Sequence, residues 1–404
     1  MSQTTEPARP RAGLTFLLIA LSAFGPMSMD IYLPALPAMT RIFATDVSGA
    51  QLTLSAFTAT FAVAQLFYGP LSDRFGRRPC LLAGLVIYIV GTVLCLLTSS
   101  VGTMVAARIL QAVGACAGAV LSRAVVRDLY AREKAAQMLS FLAAAMSVAP
   151  VVAPVLGGWL VRFSWRYDFV VMLVFGLGTL AGSWVLMGET NRHPDPRALD
   201  LGRMAETFGM LLRDPVYLCH SLAVTFVFIS LYSYISLSSF IMIDIIGLEP
   251  QFFGLAFGAA VLAFMVGSTV ATRLAHRVPI ERTIRVGVGI GALGAVVMFV
   301  CASLGIETLA AVLIPVALTA LAQGLVLPNS VAMALSGHPT VAGSASALLG
   351  CVQAGIGALA GWLAGLLHNG TTMVLACFML GGWAATVATQ VALARLPRKA
   401  APPA

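Results

Sequence analysis

GPLSDRFGRRP, Gly69–Pro79, joins two apolar runs that are each long enough to cross a bilayer. One acid, Asp73, stands among Arg74, Arg77 and Arg78, and two glycines, Gly69 and Gly76, flank it. Arginines alone would mark a generic basic loop that anchors topology. They do not account for the acid or for the spaced glycines, which let helices approach and turn tightly. The stretch is therefore read as a sharp connection at a membrane face, between a span at 50–71 and another at 79–98.

The same pattern continues in both directions. The chain is 59% hydrophobic and 10% charged, against roughly 25% charged in soluble domains. Apolar runs at 13–35, 50–71, 79–98, 103–126, 136–161, 167–187, 217–243, 252–272, 283–303, 309–333, 341–367 and 372–394 predict twelve membrane helices. The first follows a short polar tail and lacks a small-residue cleavage site, so it is read as a span and not as a removable signal. With the N-terminus inside and the spans alternating, only Arg41, Arg162 and Arg166 of the 24 Lys and Arg residues fall on the outer face, and Arg108 lies at depth. That bias predicts cytoplasmic termini. The net charge of +8 is then a topology signal and not a nucleic-acid footprint. The seven cysteines are scattered singly without ligand spacing, which argues for packing roles and against a disulfide framework or a metal site.

Residues 188–215 form the long polar connection, and Pro194 and Pro196 interrupt any helix there. Leu201, Met204, Phe208, Leu211 and Leu212 then recur at helical spacing, predicting a short amphipathic surface helix. The expected organisation is a cytoplasmic tail at 1–12, a six-helix bundle at 13–187, the linker at 188–215, a second six-helix bundle at 216–394 and a tail at 395–404. Two such halves with a solute site between them are a usual build of secondary transporters.

Two charges, Asp30 and Arg108, lie well inside apolar segments. A charge at membrane depth costs at least ~2.5–3.5 kcal/mol and marks solute or proton pathways. Both fall in the outer half of the first bundle, so depth alone brings them within reach of each other. Apolar surroundings favour a neutral acid and a nearby guanidinium favours a carboxylate, which makes the pair a candidate proton switch. Met27, Phe57, Phe61, Gln111, Phe226, Tyr232, Tyr234, Asn329 and Gln353, with Phe240 and Phe264, are candidates for the wall of a drug-sized cavity. Asp244 reads as a loop charge at the end of span 7.

The loop Gly69–Pro79 resembles the signature loop of the major facilitator superfamily. RILQAVGA, Arg108–Ala115, is similar to the arginine–glutamine–glycine pattern of proton-coupled members. APVVAPVLGG, Ala149–Gly158, resembles the antiporter pattern, keeping Pro154, Gly157 and Gly158 but carrying alanine at Ala149 and Ala153. MDIYLPALP (Met29–Pro37), QLTLSAF (Gln51–Phe57) and RAVVRDLY (Arg123–Tyr130) resemble the bicyclomycin/chloramphenicol-resistance (Bcr/CflA) branch of drug–proton antiporters. So do Leu327, Pro328 and Asn329, and AGSASALLG (Ala342–Gly350).

The resemblance implies an all-α fold of two six-helix bundles and a monomeric, multi-pass protein of the bacterial inner membrane. It implies proton-driven export of small, largely apolar drugs without a cofactor, and no enzyme activity. Asp30 and Arg108 would couple protons. Gly69, Asp73, Arg74, Gly76, Arg77 and Arg78 would gate, with Asp73 meeting the start of span 11 at Val341–Ser344 or, failing that, Arg127. Ser22 stands where some relatives carry a second acid, which argues against doubly charged substrates. A proton-coupled exporter of an endogenous metabolite remains the alternative. A non-transporting sensor would be expected to carry an added soluble domain, and a nucleotide-driven pump the pattern GxxxxGK[ST].

Overall fold

Span 1 is not straight. Helix Ala12–Ser22 meets Phe24–Ile42 at 45°, because Pro26 cannot donate to the helical carbonyl of Ser22. The second part runs from Phe24–Asp30 through a 3-10 turn at Leu33–Ala35 into Leu36–Ile42. The structure is a computed structural model that describes residues 12–191, 194–275 and 277–395. Of the tails expected at 1–12 and 395–404, residues 1–11 and 396–404 lie outside the described residues.

Five further spans complete the first half: Val47–Phe75, Arg77–Leu97, Val101–Leu129, Arg132–Leu160 and Arg166–Leu186. The second half holds span 7 (Pro215–Ser239, extended by a π-helical turn Phe240–Ile245), span 8 (Pro250–Leu274) and span 9 (Ile280–Ser303). It closes with spans 10 (Leu309–Ser336), 11 (Ala342–Leu366) and 12 (Met373–Arg395). Among the described residues there is no strand, and counting the bent pair as one span gives twelve. Large apolar side chains such as Phe16, Val63, Trp184 and Leu293 point outward, as lipid contact requires.

The linker helix forms as Leu201–Arg213, with the Asp200 carboxylate accepting from the N–H groups of Gly202 and Arg203. Leu211 is buried while Leu212 faces out. Asp214 then caps span 7, whose first residue is Pro215, and accepts from His338 at 2.8 Å.

Span 2 packs along span 11, and span 5 along span 8. The face bearing Gly69–Pro79 and the linker is called here the basic face. Near the opposite face the halves are bonded together: the Gln51 amide donates to the Ser236 carbonyl, and the Tyr232 hydroxyl bonds Thr58. Gly158 completes this seal, since an added Cβ would overlap the carbonyl of Pro250 at the start of span 8. Its neighbour Gly157 lies closer still to the Ile31 carbonyl of span 1. Only glycine permits these backbone approaches.

Candidate functional site

Asp30 ends the helical segment Phe24–Asp30 and opens on a cavity of about 230 Å³ between the halves, on the basic side of the seal. Met146 and Pro150 of span 5 also contribute from the first half. Spans 7, 8 and 10 supply the rest, including Ser230, Tyr234, Phe257, Phe264 and Gln323. The walls are almost entirely apolar, and Asp30 is the carboxylate on them.

Arg108 is fully buried beside this cavity and not in it. Its guanidinium lies 4.4 Å from the Tyr32 ring centre and 4.1 Å from that of Phe57. It donates to the Ser28 carbonyl at 2.9 Å and to the Gln111 side-chain oxygen at 2.5 Å. Gln111 in turn donates to Thr92. Depth alone suggested direct pairing of Asp30 with Arg108. The structure holds them in no ion pair, because the guanidinium is taken up by a backbone carbonyl two residues before Asp30 and by two rings.

Of the expected cavity residues, Tyr234 and Phe264 line the central space. Phe57 and Gln111 are instead committed to Arg108, and Phe61 stacks on Phe57. Tyr232 belongs to the seal. Asn329 bonds its own helix at Leu325, and Gln353 lines a separate lateral groove with Phe228 and Pro328. Met27 and Phe226 are half-buried and Phe240 is buried, all outside the central cavity lining. Asp244 lies in the π-helical end of span 7, away from this cavity.

At the basic face Arg77 bridges two acids. Its guanidinium meets Asp73 at 2.5 Å and Asp128 at 3.0 Å. Span 4 therefore answers the loop through Asp128, and not through the neighbouring exposed Arg127. Asp73 is bonded to Arg77 and not to Val341–Ser344 in this conformation, and its side chain is half-exposed. Arg74 and Arg78 lie over Phe75 and Trp184.

Gly76 has φ +98° and no side chain to cap span 3. Glu189, from the start of the linker, caps it in trans. One oxygen accepts from the N–H of Arg77 and the other from that of Arg78, while the N–H groups of Thr190 and Asn191 also point to it. Burial alone would push this carboxyl up, but the four N–H groups hold it below its ordinary range. A Cβ at Gly76 would collide with Glu189. At Gly69 an added Cβ would meet nothing within 4 Å, so close approach does not explain that glycine here.

Three features escape a linear reading. Glu189 and Asp128 reach the loop only through tertiary packing. Ser230 and Gln323 are ordinary helix residues until the halves meet. Asp168, in the first turn of span 6, reads as a helix-end charge, yet it is fully buried with both oxygens lacking a hydrogen-bond partner. Asp168 thus joins Asp30 and Arg108 as a charged residue buried within the protein, although it stands at a helix end.

Two six-helix halves sealed at one face around a central cavity define a membrane transporter of the secondary type. The family model described as Major Facilitator Superfamily matches residues 17–361, and the chain belongs to that superfamily. An uncharacterized MFS-type transporter, YdgK of Bacillus subtilis (strain 168), is 32% identical, over 91% of this chain and 91% of its own. The bicyclomycin resistance protein homolog of Haemophilus influenzae is 30% identical, over 86% and 89%. Multidrug resistance protein D of Escherichia coli (strain K12) is 30% identical, over 88% and 90%. Among solved structures, a D-xylose–proton symporter superposes with TM-score 0.74 at 14% identity, over 93% and 96% of the two chains. The chain is thus a transporter of this superfamily and a multi-pass protein of the bacterial inner membrane.

Proposed function

We propose that this protein exports small, largely apolar drugs in exchange for protons, with the basic face in the cytoplasm. The carrying observation is that Asp30 is the carboxylate on an otherwise apolar cavity shared by both halves. A neutral carboxyl tolerates such walls, whereas an ionised one requires water or a countercharge. Proton and drug then compete for one space. Drug enters from the cytoplasmic side while water reaches Asp30 there and takes up its proton, and the halves rock to expose the cavity outward. Reprotonation of Asp30 from outside expels the drug. Arg108, through the Ser28 carbonyl, fixes the backbone that presents Asp30. The names of the bicyclomycin- and multidrug-resistance relatives support drugs as the cargo.

A resistance panel in a pump-deficient host tests this reading. The expected result is raised tolerance to uncharged antibiotics, abolished by a protonophore. Unchanged tolerance across the panel would point to an endogenous metabolite as the cargo.

A further inference from the structure

Two of the polar side chains on the central cavity are spent on their own helices. The Ser147 hydroxyl donates to the Ala143 carbonyl at 3.0 Å and the Thr319 hydroxyl to Val316 at 2.9 Å. Three others are not. The Ser230 hydroxyl, the Tyr234 hydroxyl and the Gln323 amide oxygen are buried atoms of residues that line the same cavity, and they have no hydrogen-bond partner in the protein. Ser230 and Tyr234, four residues apart, share one face of span 7, and Gln323 comes from span 10. The Tyr234 ring is stacked on Phe257 at 5.5 Å and 8°, which fixes the direction of its hydroxyl. A buried polar group left unpaired is costly, so three on one small cavity mark where a ligand's own polar groups belong.

We infer that Ser230, Tyr234 and Gln323 form a hydrogen-bonding subsite on the second half that selects compact uncharged drugs bearing hydroxyl or amide groups. The inference rests on the cavity being the drug site. The subsite lies on the second half, while Asp30 comes from the first, so one ligand would touch both. At about 230 Å³ the cavity falls below the ~300 Å³ of ordinary drug pockets, which favours compact ligands. Apolar walls alone discriminate weakly against an added or missing hydroxyl, whereas a site built to bond one discriminates strongly.

The test is binding to purified full-length protein of two probes, chloramphenicol and an analogue lacking its hydroxyls, with tetraphenylphosphonium as a third. The wild type should prefer chloramphenicol over the analogue about tenfold or more. That preference should collapse toward unity in Tyr234→Phe and Gln323→Leu, and fall in Ser230→Ala, while affinity for the analogue is kept. Retained analogue binding reports that each variant is folded. A preference unchanged in all three variants overturns the subsite. Wild-type binding of tetraphenylphosphonium but not chloramphenicol also overturns it, and leaves drug export standing. Binding of no probe contradicts the drug reading itself.

Discussion

Arg108 shows what a buried charge needs in order to persist. It has two aromatic faces, one backbone carbonyl and one side-chain amide, a set that suits a flat guanidinium and not an ammonium. Arg108→Lys should therefore lower stability by about 2 kcal/mol through lost stacking and bonding. Arg108→Ala should lower it by about 2–5 kcal/mol, through the cavity left between the two rings, and detergent melting curves would rank the two. Asp168 behaves oppositely. Its carboxyl has no partner to lose, so Asp168→Leu should hold or raise the melting temperature, by up to about 1–2 kcal/mol equivalent. A melting temperature well below wild type would mean Asp168 has a partner in another state of the transporter. The sequence singled out Asp30 and Arg108 because charge at depth is rare. It could not tell which way each points, since span periodicity assigns a residue to a helix but not to a neighbour. Phe57 and Tyr232 passed as cavity aromatics for the same reason. The first packs on Arg108 and the second closes the seal.

The connection between spans 2 and 3 is built from two distant segments. Its arginines, acid and glycines were legible in eleven consecutive residues, whereas Glu189 and Asp128, which hold them, lie more than fifty positions away in the chain. Glu189→Ala removes the cap of span 3 and should cost about 1 kcal/mol, read as faster amide exchange at Arg77 and Arg78. The effect depends on acid in a set direction. Because the folded carboxyl lies below the ordinary value of 4.5, the cap contributes fully above about that pH. Its contribution is lost as pH falls through the lower folded value. The melting difference between wild type and Glu189→Ala should therefore be steady near neutrality and shrink below pH ~4.5. A difference that grows on acidification would contradict the trans cap. At the other face, Gly158→Leu forces a side chain into the Pro250 backbone. Such a variant should favour the outward-open form, seen as raised labelling of a cysteine placed at Gln51. Unchanged labelling would show that the glycine contact does not close that face.

As a whole the molecule is two lipid-facing bundles whose meeting surfaces carry the chemistry. Hydropathy foretold the spans, because bilayer thickness and backbone satisfaction leave few alternatives. The bend in span 1 and the seal between halves depend on Pro26 and on helix–helix fit, which hydropathy does not report. The arginine bias predicts the side on which each loop lies. In a cysteine-free background, Glu206→Cys in the linker helix should resist an impermeant thiol reagent in intact cells, and Ser99→Cys between spans 3 and 4 should react. The reverse pattern would invert the assignment of the faces. Exchange of drug for proton at Asp30 is decided in proteoliposomes with an imposed pH gradient, comparing wild type with Asp30→Asn at equal reconstitution. Wild type should accumulate drug against its gradient and release protons as it does so. Asp30→Asn should only equilibrate the drug, without proton movement. Accumulation by Asp30→Asn to the wild-type level would contradict the assignment of coupling to this carboxyl.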